Sequence, residues 1–150
     1  MPETDPDTAS IDGIIKALYE VISGPAGAPR DWGRERKLFH PGARLAPTRV
    51  QPDGRGGVAD VFDLDGYIAS RSPMFAKDSF FETETARHTF RFGHFVHVLS
   101  AYDLSRTPGG KPFVRGVNSI DLLYDGSRWW VLSIAWNNEG PDNPLPELPL

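Results

Sequence analysis

The stretch from Phe113 to Trp136 limits the possible folds more than any other part of this chain. Two runs rich in β-branched and aromatic residues flank Asp125-Gly126, a dipeptide suited to the φ > 0 angles of a type I′ hairpin turn. Both runs are apolar at odd and at even positions. A strand with one face in water alternates, whereas a strand covered on both faces does not. The hairpin therefore belongs to a sheet with one face on a core and the other on a partner or ligand.

Upstream, Ser10 precedes Ile11, Ile14, Ile15, Leu18, Tyr19 and Ile22, a spacing that predicts an amphipathic helix ended by Gly24-Pro25. A second helical run is expected over 31–39, stopped by His40-Pro41-Gly42, and a third over 58–75, weakened by Gly66 and Pro73. Ala43 to Val50 reads as a strand, followed by a turn over 52–57 that lacks the Gly-Lys-Ser/Thr ending of a phosphate loop. Four β-like runs follow, over 79–91, 94–106, 113–124 and 128–137. Helices first and an antiparallel meander afterwards predict one α+β domain over 1–150: a curved antiparallel sheet packed over about three N-terminal helices. Residues 1–9 are expected to be a flexible lead-in and 140–150 a proline-rich tail that lies on its own domain or on a dimer mate.

The absence of cysteine removes disulfides and thiolate chemistry. A net charge of −4 disfavours a nucleic-acid partner, and no run approaches the length of a membrane span. The acidic N-terminus lacks the plan of a signal peptide, so a cytoplasmic location is expected.

Several segments resemble the bacterial members of the NTF2-like (SnoaL-like, cystatin-like cone) superfamily. They are Arg30-Asp-Trp32 through Leu38-Phe-His-Pro-Gly-Ala-Arg-Leu45, Ser79-Phe-Phe-Glu-Thr-Glu84, Phe92 to Tyr102, Arg115-Gly-Val-Asn-Ser-Ile120 and Arg128-Trp-Trp130. The resemblance covers about Ile11 to Glu139 and implies a cone-shaped α+β barrel, commonly a homodimer through its outer sheet face. Its members include polyketide cyclases, ketosteroid isomerases, dehydratases and transport adaptors. Their carboxylates or His–Asp pairs match no position here, so no catalytic residue is carried over.

Strand parity maps the faces. A two-residue turn at Asp125-Gly126 puts Asn118, Ile120, Leu122, Trp129, Val131 and Ser133 on one face, joined by His88, Phe90 and His97 from the preceding strands. This mostly apolar face with isolated polar groups suits a small-molecule pocket, with Tyr19 on its wall and Glu84 able to hold a histidine tautomer. The other face, with Trp130, Leu132, Ile134, Trp136 and Tyr102, suits a dimer interface. A one-residue slip or a bulge exchanges the two sets. His88 and His97 could move protons, with Asn118 polarising a carbonyl. Glu84, His88 and His97 are also metal-ligand types, but no metal or other cofactor is assigned. Asp60, Asp63 and Asp65 read as the start of a helix, and Glu82 as an ion-pair partner of Arg87 or Arg128. The expected function is binding a small hydrophobic or aromatic molecule, with isomerase-, cyclase- or dehydratase-like chemistry. The alternatives are a non-catalytic binding or transport module and a structural dimerisation domain.

Overall fold

The computed structural model describes residues 4–50, 53, 56–58 and 60–148. Among these, three helices, α1 (Ile11–Ile22), α2 (Trp32–Arg36) and α3 (Leu64–Lys77), accompany one six-stranded sheet. Its strands are β1 (Phe39–Val50), β2 (Gly56–Val58), β3 (Phe81–Phe92), β4 (Phe95–Ser105), β5 (Val114–Tyr124) and β6 (Trp129–Asn138), in the order β2-β1-β6-β5-β4-β3. The expected α+β architecture of a curved sheet over helices is present. Every strand pair is antiparallel except β1 with β6, which is parallel.

Helix α1 forms as its pattern predicts. The Ser10 hydroxyl accepts from the Gly13 N–H at 2.9 Å, and Ile14, Ile15, Leu18 and Tyr19 are buried against the sheet. Beyond the helix, the buried Arg30 guanidinium gathers the carbonyls of Ile22 (2.9 Å), Gly24 (3.1 Å) and Ala28 (2.9 Å). Those groups would otherwise lose their water without a replacement donor.

Three boundaries differ from expectation. Helix α2 ends at Arg36, because β1 begins at Phe39 and absorbs Pro41 in a register shift between Phe39 and Arg44. Helix α3 begins at Leu64, where the Asp63 carboxylate caps it by accepting from the Gly66 N–H at 2.8 Å, while Val58 pairs with Thr48 in the sheet. The lead-in docks over residues 4–9: Asp7 accepts from Arg34 at 2.7 and 3.0 Å, Asp5 from Lys37 at 2.8 Å, and the Thr8 carbonyl from the Trp129 N–H at 2.9 Å. Of the turn expected over 52–57, residues 52, 54 and 55 lie outside the described residues, while Gly56 and Gly57 belong to β2.

The faces are set by two features. First, the β5–β6 loop holds four residues, with Tyr124 opposite Trp129, because the Asp125 carboxylate accepts from the N–H groups of Ser127 and Arg128 at 2.8 and 2.9 Å. Four has the parity of two, so Leu122, Trp129 and Val131 face inward as expected. A bulge then leaves Asp121 opposite Ser133 but Leu122 opposite Val131, so Leu132 is an extra residue and the alternation reverses. Ser133 turns outward, and Ile134 and Trp136 turn inward opposite Ile120 and Asn118. Second, Leu104 pairs with Val114 across a nine-residue connection, 105 to 113, which puts Val96, Val98, Ser100 and Tyr102 inward and His97 outward.

At Gly116 the chain has room for no side chain. A Cβ there would sit 2.3 Å from the Tyr102 hydroxyl and 2.5 Å from the Asn137 carbonyl, and the latter is backbone in a sheet and cannot yield. Gly116→Ala is expected to destabilise the fold by about 2 kcal/mol, as overpacking does. An unchanged urea midpoint at constant slope would show that the sheet gives way there.

Candidate functional site

Between the inner sheet face and the helices lies a cavity of about 550 Å³. It occupies the half of that face running from Ile120 toward Val114, while Val96, Leu122, Trp129 and Val131 fill the other half as packed core. Its wall is mostly aromatic and aliphatic, and the polar groups it holds come from nearly every element: Tyr19 of α1, Glu35 of α2, Tyr67 of α3, Glu82 of β3, Tyr102 of β4 and Asn118 of β5.

Two of these are carboxylic acids with unusual surroundings. Glu35 is 2% exposed, and its Oε2 is the one buried side-chain polar atom without a hydrogen-bond partner among the described residues. Burial pushes its pKa up to about 7, opposed by the charge of Arg36. Helical geometry explains the placement. Within α2, Glu35 follows Trp32 by three residues and shares its side of the helix, the side that packs on Phe75, while Phe39, four residues further on, is buried at the start of β1. Glu82 is 9% exposed and is likewise pushed up to about 7 by burial, but its Oε1 accepts a hydrogen bond from Asn118 Nδ2 at 3.4 Å, which favours the ionised form. Burial, and after it the charges of Glu35 and Glu82, raises the Tyr67 phenol well above its ordinary range, so Tyr67 keeps its proton.

Asn118 is fixed from behind. Its Nδ2 also donates to the Tyr19 hydroxyl at 3.1 Å; Tyr19 and Ser100 oxygens lie 2.6 Å apart; Ser100 donates to Glu84 at 2.5 Å; and Arg87 donates to both Glu84 oxygens. Since the Ser100 proton is committed to Glu84, the Tyr19 proton must point at Ser100, leaving the Tyr19 oxygen to accept from Asn118. The chain of donors thereby orients the Asn118 amide with its N–H groups toward Tyr19 and Glu82. This assignment needs no ligand.

No protein-family model matches the sequence, and no curated protein matches it. Solved structures do. A cystatin-like protein of unknown function from Nostoc punctiforme superposes with a TM-score of 0.65 at 7% identity, over 87% of this chain and 90% of that one. The β subunit of a candidate aromatic-ring-hydroxylating dioxygenase from Novosphingobium aromaticivorans gives 0.62 at 15%, over 87% of each chain. A candidate ketosteroid isomerase from Parabacteroides distasonis gives 0.58 at 10%, over 88% and 90%. Further matches are NTF2-like proteins. The chain has the NTF2-like, cystatin-like fold.

Within the NTF2-like cone, the residues expected in the pocket separate. Tyr19 and Asn118 line the cavity. Glu84 stands behind it, bordering a shallow groove between α1 and β3 that shares Tyr19 and Glu82 with the cavity wall. Trp129 is buried at the packed end, 5.2 Å from the Tyr124 ring. His88, His97 and Ser133 lie on the outer face, because the connection before β5 and the bulge in β6 each shift the register by one. There Asp121 accepts from Ser133 at 2.7 Å and meets His97 Nδ1 at 2.8 Å. The carboxylate stands between serine and imidazole, so the order needed to activate a serine nucleophile is not met. Glu84 lies on the opposite face from His88 and His97, so the three do not converge on a metal. Of the residues assigned to a dimer face, Ile134, Trp136 and Tyr102 line the cavity instead, and Trp130 and Leu132 remain outside. Trp130 is covered there by Arg128, whose guanidinium carbon stands 3.5 Å from its ring centre.

Glu35 and Glu82 were not among the expected site residues. The ion pair with Arg87 belongs to Glu84, and Glu82 is interior. Asp63 and Asp65 serve α3 as expected, and Asp60 borders the cavity. Among the described residues no helix is long and apolar enough to cross a membrane.

Proposed function

We propose that the cavity binds a small, largely apolar carbonyl compound and moves a proton on it. The observation that carries this reading is the pair of buried carboxyls, both held near pH 7 in one apolar cavity. A general acid or base works best with a pKa near the working pH, and burial is the usual means of moving a carboxyl there. Glu82, whose ionised form is favoured by Asn118, is the base that takes a proton from the carbon beside the carbonyl. As that C–H bond breaks, its electron pair forms the C=C bond of an enolate, and the carbonyl oxygen gains the negative charge. Glu35 and Tyr67, both protonated, are the available donors to that oxygen. Returning the proton from Glu82 to carbon, at the same or a conjugated position, completes an exchange or an isomerisation. The fold shared with a candidate ketosteroid isomerase supports the same class of chemistry.

Deuterium exchange into β-tetralone, followed by NMR in deuterium oxide, tests this. The protein is expected to accelerate exchange beyond an equal concentration of free carboxylate. Quenching of tryptophan fluorescence by tetralone without faster exchange would favour the binding-module reading instead.

For the outer face, we infer pairing with a second copy of the chain. Phe90, Phe92 and Phe95 are exposed there or at the adjacent β3–β4 turn, at 54%, 77% and 58%, more apolar surface than a solitary domain usually leaves uncovered. Sedimentation is expected to give twice the chain mass for the native protein and the single mass for Phe90→Glu. A native monomer at tens of micromolar sinks the pairing.

A further inference from the structure

We propose that the ligand of this cavity carries an anionic group, a carboxylate or its equivalent, which Arg71 and Arg106 hold at the cavity mouth. The inference rests on the reading of the cavity as a carbonyl-compound site and adds the ligand's charge to it.

Three arginines, Arg49, Arg71 and Arg106, line the cavity, from β1, α3 and the end of β4. Elsewhere in the chain Arg34, Arg36, Arg87 and Arg115 all hold carboxylates. Among the described residues none of the three at the cavity does. Two are held against rings of the cavity wall. The Arg71 guanidinium carbon stands 5.8 Å from the Trp136 ring centre. That of Arg106 stands 3.9 Å from Phe113, with its Nη1 donating to the Ser79 carbonyl at 2.9 Å. A guanidinium resting on an aromatic face keeps its position fixed and its remaining N–H groups free at the edge, the arrangement suited to receiving a planar anion. Among the described residues that line the rim, Asp60 is the one acid, and no ion pair joins it to these arginines there.

The interior acids offset this positive rim only in part. Burial favours their neutral forms up to about pH 7, and with Glu82 ionised as the base and Glu35 protonated an approaching ligand meets three positive groups and two negative. A neutral ligand would leave the guanidiniums with water alone. A cationic ligand would be repelled at the mouth before reaching the acids. An amphiphile with an anionic end outside, an apolar body beside Trp136 and a carbonyl inside satisfies each part of the wall.

The test compares para-acetylcinnamate with para-acetylcinnamamide, which share shape and carbonyl and differ in charge. By calorimetry at low salt, the carboxylate is expected to bind the native protein about tenfold more tightly than the amide. Arg71→Met is expected to remove most of that preference, read as the ratio of the two affinities within the variant; Arg71→Lys retains part of it. Rising salt should erode the preference in the native protein. Equal affinity of the two compounds, or a preference unaffected by both Arg71→Met and Arg106→Met, overturns the anionic-ligand inference and leaves the carbonyl site standing. Failure of both compounds to bind the native protein overturns the cavity reading and this inference together.

Discussion

Glu35→Met is expected to stabilise the protein by about 3 kcal/mol more at pH 8 than near pH 4.5. In the folded chain burial holds the Glu35 proton up to about pH 7, whereas the ordinary value is 4.5. Below 4.5 both folded and unfolded chains are protonated, and pH has no leverage through this group. Between 4.5 and about 7 the unfolded chain binds fewer protons than the folded one, so rising pH favours unfolding. Above about 7 both are ionised and the full penalty is in place. Each pKa unit is worth about 1.4 kcal/mol, and the shift spans roughly two and a half of them. Methionine removes the ionisable group and also the unpaired Oε2, filling similar volume with apolar atoms. Urea unfolding of native and variant proteins at both pH values measures the difference. Equal stability changes at the two pH values would mean that Glu35 ionises in the folded protein as it does in solution. Glu82 lies under the same linkage, so the native protein itself is expected to lose stability from about pH 5 to pH 7.

Two such carboxyls in one domain are a structural burden that packing alone does not call for. A hydrophobic residue at position 35 would suit the core better, which is why the cavity is read as a place where protons move and not as an incidental void.

How much of this was legible in the sequence depends on what each residue's neighbours record. The α1 stripe and the Asp125-Gly126 hairpin both formed where the pattern put them, although the hairpin turn runs over four residues with a positive φ at Gly126 and not at Asp125, in place of the expected two-residue type I′ turn. Parity, however, propagates through every turn, and it failed at places with no compositional mark. The nine-residue link before β5 contains Pro108-Gly-Gly110, which announces a turn but not its length. The bulge at Leu132 sits inside an unbroken apolar run, where one extra residue leaves no signature. His88 and His97 remained correctly together on one face and were assigned to the wrong side of the sheet. Glu35 was accessible: its spacing from Trp32 and Phe39 places it on the buried side of any helix there. Glu82 was not, because nearby Arg87 made an ion pair its natural reading, whereas the bulge between Glu84 and Ala86 brings Arg87 to Glu84 and leaves Glu82 in the interior.

Glu82→Gln is expected to slow proton exchange on a bound ketone by a factor of about 10² to 10⁴, the range a positioned general base contributes. The glutamine amide keeps the shape of the side chain and can still accept the Asn118 N–H through its carbonyl oxygen, so ligand affinity should change little. With native protein, kcat/KM should rise tenfold per pH unit below about 7, as the carboxyl of Glu82 ionises, and level off above it. The variant's residual rate should lack that limb. Asn118→Leu supplies a separate readout. Removing the donor at Oε1 takes away the interaction that favours the ionised acid, so the inflection should move to higher pH while exchange at high pH survives. A purely structural Asn118 would lower the amount of folded protein and leave the inflection where it was. Retention of more than half the native exchange rate by Glu82→Gln would remove Glu82 as the base. Glu35 would then be the group to test, and a rate that falls in Glu35→Gln but not in Glu82→Gln would exchange the two roles.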